Sequence, residues 1–290
     1  MKRFTKLEWA WILYDIGNSA FILMVSTLIP IYFNYLSGEA GVSSADYLGY
    51  WGYAASAATV LVAFIGPTFG TLADTKGFKK PIFLASLLLG VGACLTLGFF
   101  TSWLAFLVVF VIAKVGYSAS LVFYDSMIGD VTTPERVDEV SSMGYGWGYI
   151  GSCIPFAVCL VLVLGRDTVG LSLRTAMILS FWIVGLWWLL VTLPLLRRYQ
   201  QTHSVPREPG AVRRSFARLA ATARDIRKEK KVFLFLLSFF FYIDGVYTII
   251  EMATAYGKAL GLDSTGLLLA LLATQLVAFP SALLFGRLSR

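Results

Sequence analysis

Five ionisable side chains lie inside long apolar stretches of this sequence: Asp15, Lys114, Asp125, Asp244 and Glu251. A charged side chain at the centre of a bilayer costs about 3 kcal/mol on insertion scales, so such a residue faces water, a partner or a bound solute rather than lipid. The sequence therefore predicts a polar interior between membrane-spanning helices. Carboxylates and an ammonium group in such an interior suit the binding of a solute or the coupling of transport to a proton or cation.

Each of three stretches carries its polar residues on one helical face, because positions three, four, seven and eleven apart line up on a helix. The three faces consist of Asp15, Asn18 and Ser19; of Lys114, Tyr117, Ser118 and Asp125; and of Asp244, Thr248 and Glu251. Lys114 and Asp244 fall about midway along their stretches, the depth at which transporters bind solute. We therefore predict a substrate or coupling-ion site formed by Asp244, Lys114, Glu251, Asn18, Tyr117 and Thr248.

The residue types leave several roles open. Lys114 can neutralise Asp15 or Asp244, or it can receive a carboxylate of the solute. Asp244 or Glu251 is the candidate for proton or cation coupling, because a carboxyl group held away from water can take up a proton. Asp15 and Asp125 lie nearer a membrane surface, where we expect gating or structural pairing. Ion pairs that only fix helix registry are the alternative for all of these residues.

The composition is that of an integral helical membrane protein. The chain has 290 residues, of which 58% are hydrophobic and only 14% charged, and its mean hydropathy is +0.74. Soluble domains carry about 25% charged residues. Eight apolar stretches are each long enough to cross a bilayer, and they lie near 9–35, 46–72, 81–100, 103–127, 141–164, 173–196, 232–256 and 264–286.

The net charge of +7 comes mostly from Lys and Arg residues in alternate connections between these stretches. That alternation follows the positive-inside rule and predicts a cytoplasmic N-terminus in the plasma (inner) membrane. It makes anionic lipid, and not nucleic acid, the expected partner of the basic charge. The cysteines have no spacing typical of a metal site or a disulfide, so we expect no cofactor.

A long basic connection, residues 197–231, separates the sixth stretch from the seventh. Pro206 and Pro209 favour an irregular first part, and apolar residues then recur with a helical period among arginines. This pattern predicts a basic amphipathic helix that lies on the inner membrane surface or packs under the bundle. The chain is thereby divided into a six-helix half (1–196), a linker (197–231) and the start of a second half (232–290).

The connection after the second stretch reads Gly-Thr-Leu-Ala-Asp-Thr-Lys-Gly-Phe-Lys-Lys over residues 70–80. Gly66 and Gly70 form a GxxxG face that allows close approach of another helix. Gly77 permits a tight reversal, and we expect Lys79 and Lys80 to anchor the turn at anionic headgroups.

Asp74 ends a helix, where a carboxylate is unfavourable for the helix dipole, so it needs a cationic partner. Arg136 is the candidate for that partner. The run resembles the loop between the second and third helices of the major facilitator superfamily, matching it at Gly70, Leu72, Asp74, Gly77, Lys79 and Lys80. The resemblance implies that Asp74 helps to latch two halves of a transporter together when the inner side is closed.

Three further segments resemble the UMF1/Atg22-like branch of that superfamily, namely residues 11–21, 123–125 with 133–135, and 242–249. The resemblance implies an all-α, major-facilitator-type helical bundle of twelve helices whose first, fourth, seventh and tenth helices line a central cavity. It also implies, more weakly, export of amino acids or related metabolites. We expect a monomer. Of that bundle, the sequence holds the six-helix half and two helices of the second half, and it ends where a ninth would begin.

The predicted function is therefore secondary active transport of a small solute by alternating access, coupled to a proton or another cation. We predict no enzyme, because the sequence offers neither a nucleophile–base pair nor a metal-ligand set. The alternative is a membrane receptor or scaffold that does not transport, or an inactive, truncated transporter fragment.

Overall fold

The structure, a computed structural model, describes residues 3–206 and 210–288, apart from the side chains of residues 211, 218, 223 and 286–288. Over this part of the chain it contains α-helices and short 3-10 turns but no strand. The helices are α1 (Lys6–Val25), α2 (Leu28–Glu39), α3 (Ser44–Ala73), α4 (Lys79–Thr96), α5 (Trp103–Ser126), α6 (Ile128–Val131), α7 (Val137–Leu164), α8 (Leu173–Arg198), α9 (Ala211–Ile226), α10 (Lys230–Ala259) and α11 (Ser264–Leu288).

Eight segments of the described chain are long and apolar enough to cross a membrane, with α1 and α2 together forming the first. This confirms the predicted all-α, major-facilitator-type helical bundle. Successive spans run in opposite directions, so their connections alternate between two faces of the bundle. We call the one that carries the N-terminus the N-terminal face and the other the opposite face. The division of the chain into two halves and a linker stays a prediction.

The first span is the most buried element, and it packs on α7 and α8. Its start is fixed by a capping box, in which Thr5 Oγ1 accepts from Glu8 N at 3.1 Å and Glu8 Oε2 accepts from Thr5 N at 2.6 Å. Such reciprocal bonds satisfy two backbone donors that a helix start otherwise leaves free. By contrast, most residues of α10 and α11 are exposed in this chain.

The first span is broken between Val25 and Leu28, a feature that our sequence analysis did not predict. A proline follows the break. Pro30 has no N–H to donate to the carbonyl of Ser26, four residues before it. Thr27 leaves the helical conformation with φ −128° and ψ −82°, and the Ser26 carbonyl needs another donor.

Small residues let the central helices approach closely. A Cβ atom on Gly116 of α5 would lie 2.3 Å from the backbone nitrogen of Gly90 in α4. One on Gly151 of α7 would lie 2.5 Å from the side chain of Ile16 in α1. Helix pairs in membranes gain most of their stability from such close packing.

The loop motif after α3 is only partly as predicted. Gly77 has a φ of +83°, which confirms the tight reversal there. The close helix contact expected at Gly66 and Gly70 is wrong, since no described atom lies within 4 Å of a Cβ built on either. A small-residue face permits an approach but does not cause one.

The lysines of this motif do not both lie at a membrane surface. Lys80 is half-buried. Lys79 is buried, and its Nζ lies 3.1 Å from the carbonyl oxygen of Ser126 and 3.6 Å from Asp130 Oδ2. The predicted headgroup anchor is therefore wrong for Lys79, because the first turn of α4 packs against the end of α5 and turns this side chain inward.

The expected pairing of Arg136 with Asp74 is also wrong. Arg136 lies 3.0 Å from Glu8 Oε1 and 3.8 Å from Glu139 Oε2. The reason is the packing of α7 on α1, which brings the residue before α7 to the capping box of α1. Asp74 is exposed, and its backbone carbonyl accepts from Val205 N at 2.9 Å.

The chain after α8 folds back onto the N-terminal face and is held there by Asp130. The Asp130 carboxylate accepts hydrogen bonds from Tyr199 Oη at 2.6 Å, Thr202 Oγ1 at 2.6 Å and His203 N at 2.8 Å. We call Asp130, Lys79, Tyr199, Thr202 and His203 the Asp130 clamp. Burial of Asp130 raises its pKa, but the hydrogen bonds from Thr202, Tyr199 and His203 outweigh burial and hold the pKa of this carboxyl well below its usual range.

Replacement of Gly116 by alanine tests the close contact between α4 and α5. The added methyl group meets backbone atoms of Gly90, which cannot move aside as a side chain can. We expect Gly116→Ala to lower the free energy of unfolding by about 1–3 kcal/mol, the usual cost of overpacking. Gly92→Ala on α4 is the control, since nothing lies within 4 Å of its added Cβ. Thermal unfolding in detergent, followed by tryptophan fluorescence, compares the two. Equal melting temperatures would contradict the packing.

Replacement of Asp130 by asparagine tests the clamp. We expect Asp130→Asn to free the segment after Tyr199, because hydrogen bonds to a charged group are worth roughly 1.5–3 kcal/mol each. A spin label at the exposed position Val205 reports the release as higher mobility. Asp167→Asn, at an exposed site on the opposite face, should leave mobility unchanged.

The clamp also has a defined pH dependence. The pKa of Asp130 is lower in the folded protein than in the unfolded chain, so its contribution is present above the ordinary Asp pKa of about 3.9. That contribution is lost as the pH falls through the folded pKa. We therefore expect the Val205 label to stay immobile from neutral pH down to about pH 5. Release already at pH 6 would contradict this account.

Candidate functional site

A cavity of about 1460 Å³ lies among α1, α3, α5, α7, α10 and α11. All ten polar residues that the sequence placed on three helical faces line it: Asp15, Asn18, Ser19, Lys114, Tyr117, Ser118, Asp125, Asp244, Thr248 and Glu251. The structure thus brings together the whole predicted substrate or coupling-ion set and two of the predicted gating residues. The other gating residues, Gly70, Asp74, Gly77, Lys79, Lys80 and Arg136, lie at the N-terminal face and not in the cavity lining.

An ion pair joins the two sides of the cavity. Lys114 Nζ of α5 lies 2.6 Å from Glu251 Oε2 of α10, and the side chains are only 5% and 20% exposed. The expectation that Lys114 neutralises Asp15 or Asp244 is wrong. The last turns of α10 are the part that docks on the bundle, so Glu251, two turns beyond Asp244, is the acid that reaches Lys114.

The other three carboxylates of the cavity have no cationic partner among the described residues. Asp15 is buried, and the one hydrogen bond to its carboxylate there comes from Asn18 Nδ2 at 3.2 Å. The carboxylates of Asp125 and Asp244 take part in no described ion pair or hydrogen bond. The structural pairing expected for Asp15 and Asp125 is therefore not found in the described part of the chain.

Aromatic residues fix α1 against α5 beside Asp15. The rings of Trp11 and Tyr124 stack with centroids 4.2 Å apart. Trp11 Nε1 donates to the Tyr124 carbonyl at 3.2 Å, and Tyr124 Oη donates to the Trp11 carbonyl at 3.2 Å. Tyr14 Oη and Ser120 Oγ lie 2.6 Å apart. These contacts hold the acidic face of α1 towards the cavity.

Two hydrogen bonds join α10 to its neighbours at the end of the cavity nearer the opposite face. The hydroxyl of Thr254 donates to the Ser26 carbonyl, the acceptor that Pro30 leaves free. Trp51 Nε1 of α3 donates to the Glu251 carbonyl at 3.0 Å. The buried residues of α10 are Thr254, Ala255 and Gly257, so this helix contacts the rest of the bundle through its last turns. We call the contacts of Thr254 with Ser26, Trp51 with Glu251 and Lys114 with Glu251 the opposite-face gate.

The gate does not follow from the sequence pattern, although one signal for it is present. A proline four residues after Ser26 inside a spanning stretch frees a backbone carbonyl at a known position. Nothing in the sequence showed that Thr254 or Trp51 would form the gate bonds. Both depend on how far α10 is displaced along its axis relative to α1 and α3.

Comparison with known proteins places the chain in a family. Residues 5–290 match the family model described as "Vacuole effluxer Atg22 like". Over 294 aligned positions the chain is 42% identical to the uncharacterized MFS-type transporter YxiO of Bacillus subtilis (strain 168), and the alignment covers 100% of this chain and 69% of that protein.

Fungal relatives match part of the chain. Autophagy-related protein 22-2 of Aspergillus clavatus is 30% identical over 131 residues, which cover 41% of this chain and 21% of that protein. Autophagy-related protein 22 of Coccidioides immitis is 30% identical over 169 residues, covering 48% and 27%. This chain is an integral membrane protein that belongs to the Atg22-like family of major-facilitator-type transporters, which is not an enzyme class.

Proposed function

We propose that the protein is a secondary active transporter that carries a small solute across the membrane by alternating access. The observation that carries the proposal is the cavity, in which ionisable residues from α1, α5 and α10 face one another while α10 is docked at the opposite face. Solute sites at the interface of two helical sets, closed towards one side, are typical of secondary transporters.

The distribution of charge supports an orientation. The N-terminal face carries the basic linker and the lysines around α4, and the positive-inside rule assigns such a face to the cytoplasm. We propose that the protein lies in the plasma membrane as a monomer, with α9 against anionic lipid. α9 contacts α3, and it exposes the apolar Phe216 and Leu219. The family description as an effluxer supports export, and amino acids or related metabolites are the proposed solutes.

The opposite-face gate supplies a mechanism for coupling. Protonation of Glu251 removes the charge that pairs with Lys114 and weakens the attachment of α10. Leaving one partner of a buried ion pair unmatched costs roughly 3–5 kcal/mol, which is enough to reverse a two-state equilibrium. Asp244 lies two turns nearer the N-terminal face, where it can take up the proton or cation that the gate releases.

Neutralisation of Asp244 tests its role in coupling. We expect Asp244→Asn to abolish uptake driven by a pH gradient, because the amide cannot carry a proton in exchange, while the protein stays in the membrane. The measurement is uptake from a solute panel into proteoliposomes, with protein made from its complete reading frame. Asp138→Asn is the control, since Asp138 is exposed outside the cavity lining. Unchanged uptake would remove Asp244 from the mechanism.

If no panel solute moves under any gradient, the scaffold or receptor alternative replaces the transporter proposal.

Replacement of Thr254 by valine tests the gate. The variant leaves the Ser26 carbonyl buried without a donor at a cost of about 1–3 kcal/mol. Because 1.4 kcal/mol is a tenfold change, we expect the gate to open roughly 5- to 100-fold more often. A cysteine at Ala55, which lines the cavity beside Trp51, then reacts faster with an impermeant maleimide added on the opposite face.

Thr96→Val is the matched control, because the hydroxyl of Thr96 bonds only within its own helix. Trp51→Phe should reproduce the effect of Thr254→Val through the second hydrogen bond. Equal labelling of wild type and both gate variants, with normal elution from a sizing column, would refute the gate.

A further inference from the structure

We infer that the solute of this cavity is a small organic amine with a net positive charge, bound by the carboxylates that Lys114 does not engage. The inference rests on the proposed transport function and narrows its solute class, from amino acids or related metabolites to those that carry a net positive charge.

The charges around the cavity do not balance. Its lining contains the carboxylates of Asp15, Asp125, Asp244 and Glu251 but only one cationic side chain, that of Lys114. Lys114 lies 2.6 Å from Glu251, so this cation is already matched. Three carboxylates remain without a cation among the described residues. A cleft with low-dielectric walls focuses such a field and concentrates solutes of the opposite sign.

A structural role does not account for these carboxylates. Structural charges inside a membrane pair with one another or with backbone groups. Asp15 is 93% buried yet receives one described hydrogen bond, from a neutral amide of its own helix. Asp125 and Asp244 receive none, and they come from different helices that face the same space. Each is in position to accept a hydrogen bond from an ammonium group that enters the cavity.

The uncharged part of the lining also suits an amine. Tyr145 and Tyr149 of α7 and Tyr247 of α10 line the cavity, and Tyr145 lies within electrostatic range of both Asp15 and Asp125. Aromatic faces attract ammonium groups. The described lining contains no arginine, the residue that most often binds a carboxylate or phosphate through paired hydrogen bonds.

The same geometry ranks the solutes by charge. A zwitterion brings a carboxylate, whose natural partner is Lys114, and that contact requires the pair with Glu251 to break. An anion meets three unpaired carboxylates and no free cation in the described lining. An amine with net positive charge binds without disturbing the gate, so it is the preferred class.

A series of matched compounds tests this ranking. 1,5-Diaminopentane, 5-aminopentanoate and glutarate share a five-carbon chain and differ only in terminal charge. Binding to the purified protein is measured by titration calorimetry, and uptake is measured in proteoliposomes. We expect the diamine to bind at least about tenfold more tightly than the zwitterion, a difference of about 1.4 kcal/mol, and glutarate not to compete.

Binding of the same compounds to the variant Asp125→Asn is the second measurement. This variant should weaken binding of the diamine about tenfold, as expected for loss of one charged contact, and should change binding of 5-aminopentanoate less. Asp138→Asn is the matched control, because Asp138 is exposed and lies outside the cavity lining. Circular dichroism and column elution show that each variant is folded.

The outcomes separate the two proposals. Tighter binding of the zwitterion or of glutarate, or full diamine affinity in Asp125→Asn, overturns the inference about charge. Gradient-driven transport of other solutes that the diamine does not inhibit also overturns it, and leaves the transport function standing. Absence of any gradient-driven transport refutes the transport function instead.

Discussion

The contact between Lys114 and Glu251 is the interaction on which the rest of the cavity depends. Lys114 is the one cation of the described cavity lining, and its pairing offsets hydration that both groups lose at this depth. The two groups lie 2.6 Å apart and link the last turns of α10 to α5. The hydrogen bonds of Trp51 and Thr254 join the same end of α10 to α3 and to the break in the first span, and residues nearer the start of α10 line the cavity.

Much of this arrangement could be predicted from the sequence, because two of the constraints, span length and helical period, act along a single segment of the chain. The thickness of a bilayer fixes the length of each apolar stretch, so the eight spans were correct to within a few residues, apart from the start of the fifth span. The helical period fixes which side chains share a face. All ten residues placed on the faces of the first, fourth and seventh spans line one cavity.

The choice of partners could not be predicted, because it depends on how far helices slide along one another. The sequence offered Asp15 or Asp244 as the partner of Lys114, whereas the axial position of α10 brings Glu251 to it. The partner of Arg136 likewise follows from the packing of α7 on α1. Gly70 shows the same limit, because a small residue on a helix surface does not determine whether another helix packs against it.

The free carbonyl of Ser26 has a genetic consequence. Since the acceptor is a main-chain atom, a substitution at Ser26 cannot remove it unless the substitution distorts the backbone. Two positions leave room for adjustment: Thr254, which supplies the donor, and Pro30, whose exchange for another amino acid would restore an N–H that can donate to the Ser26 carbonyl. Homologues that differ in how readily they open should therefore differ at these two sites, and not at Ser26.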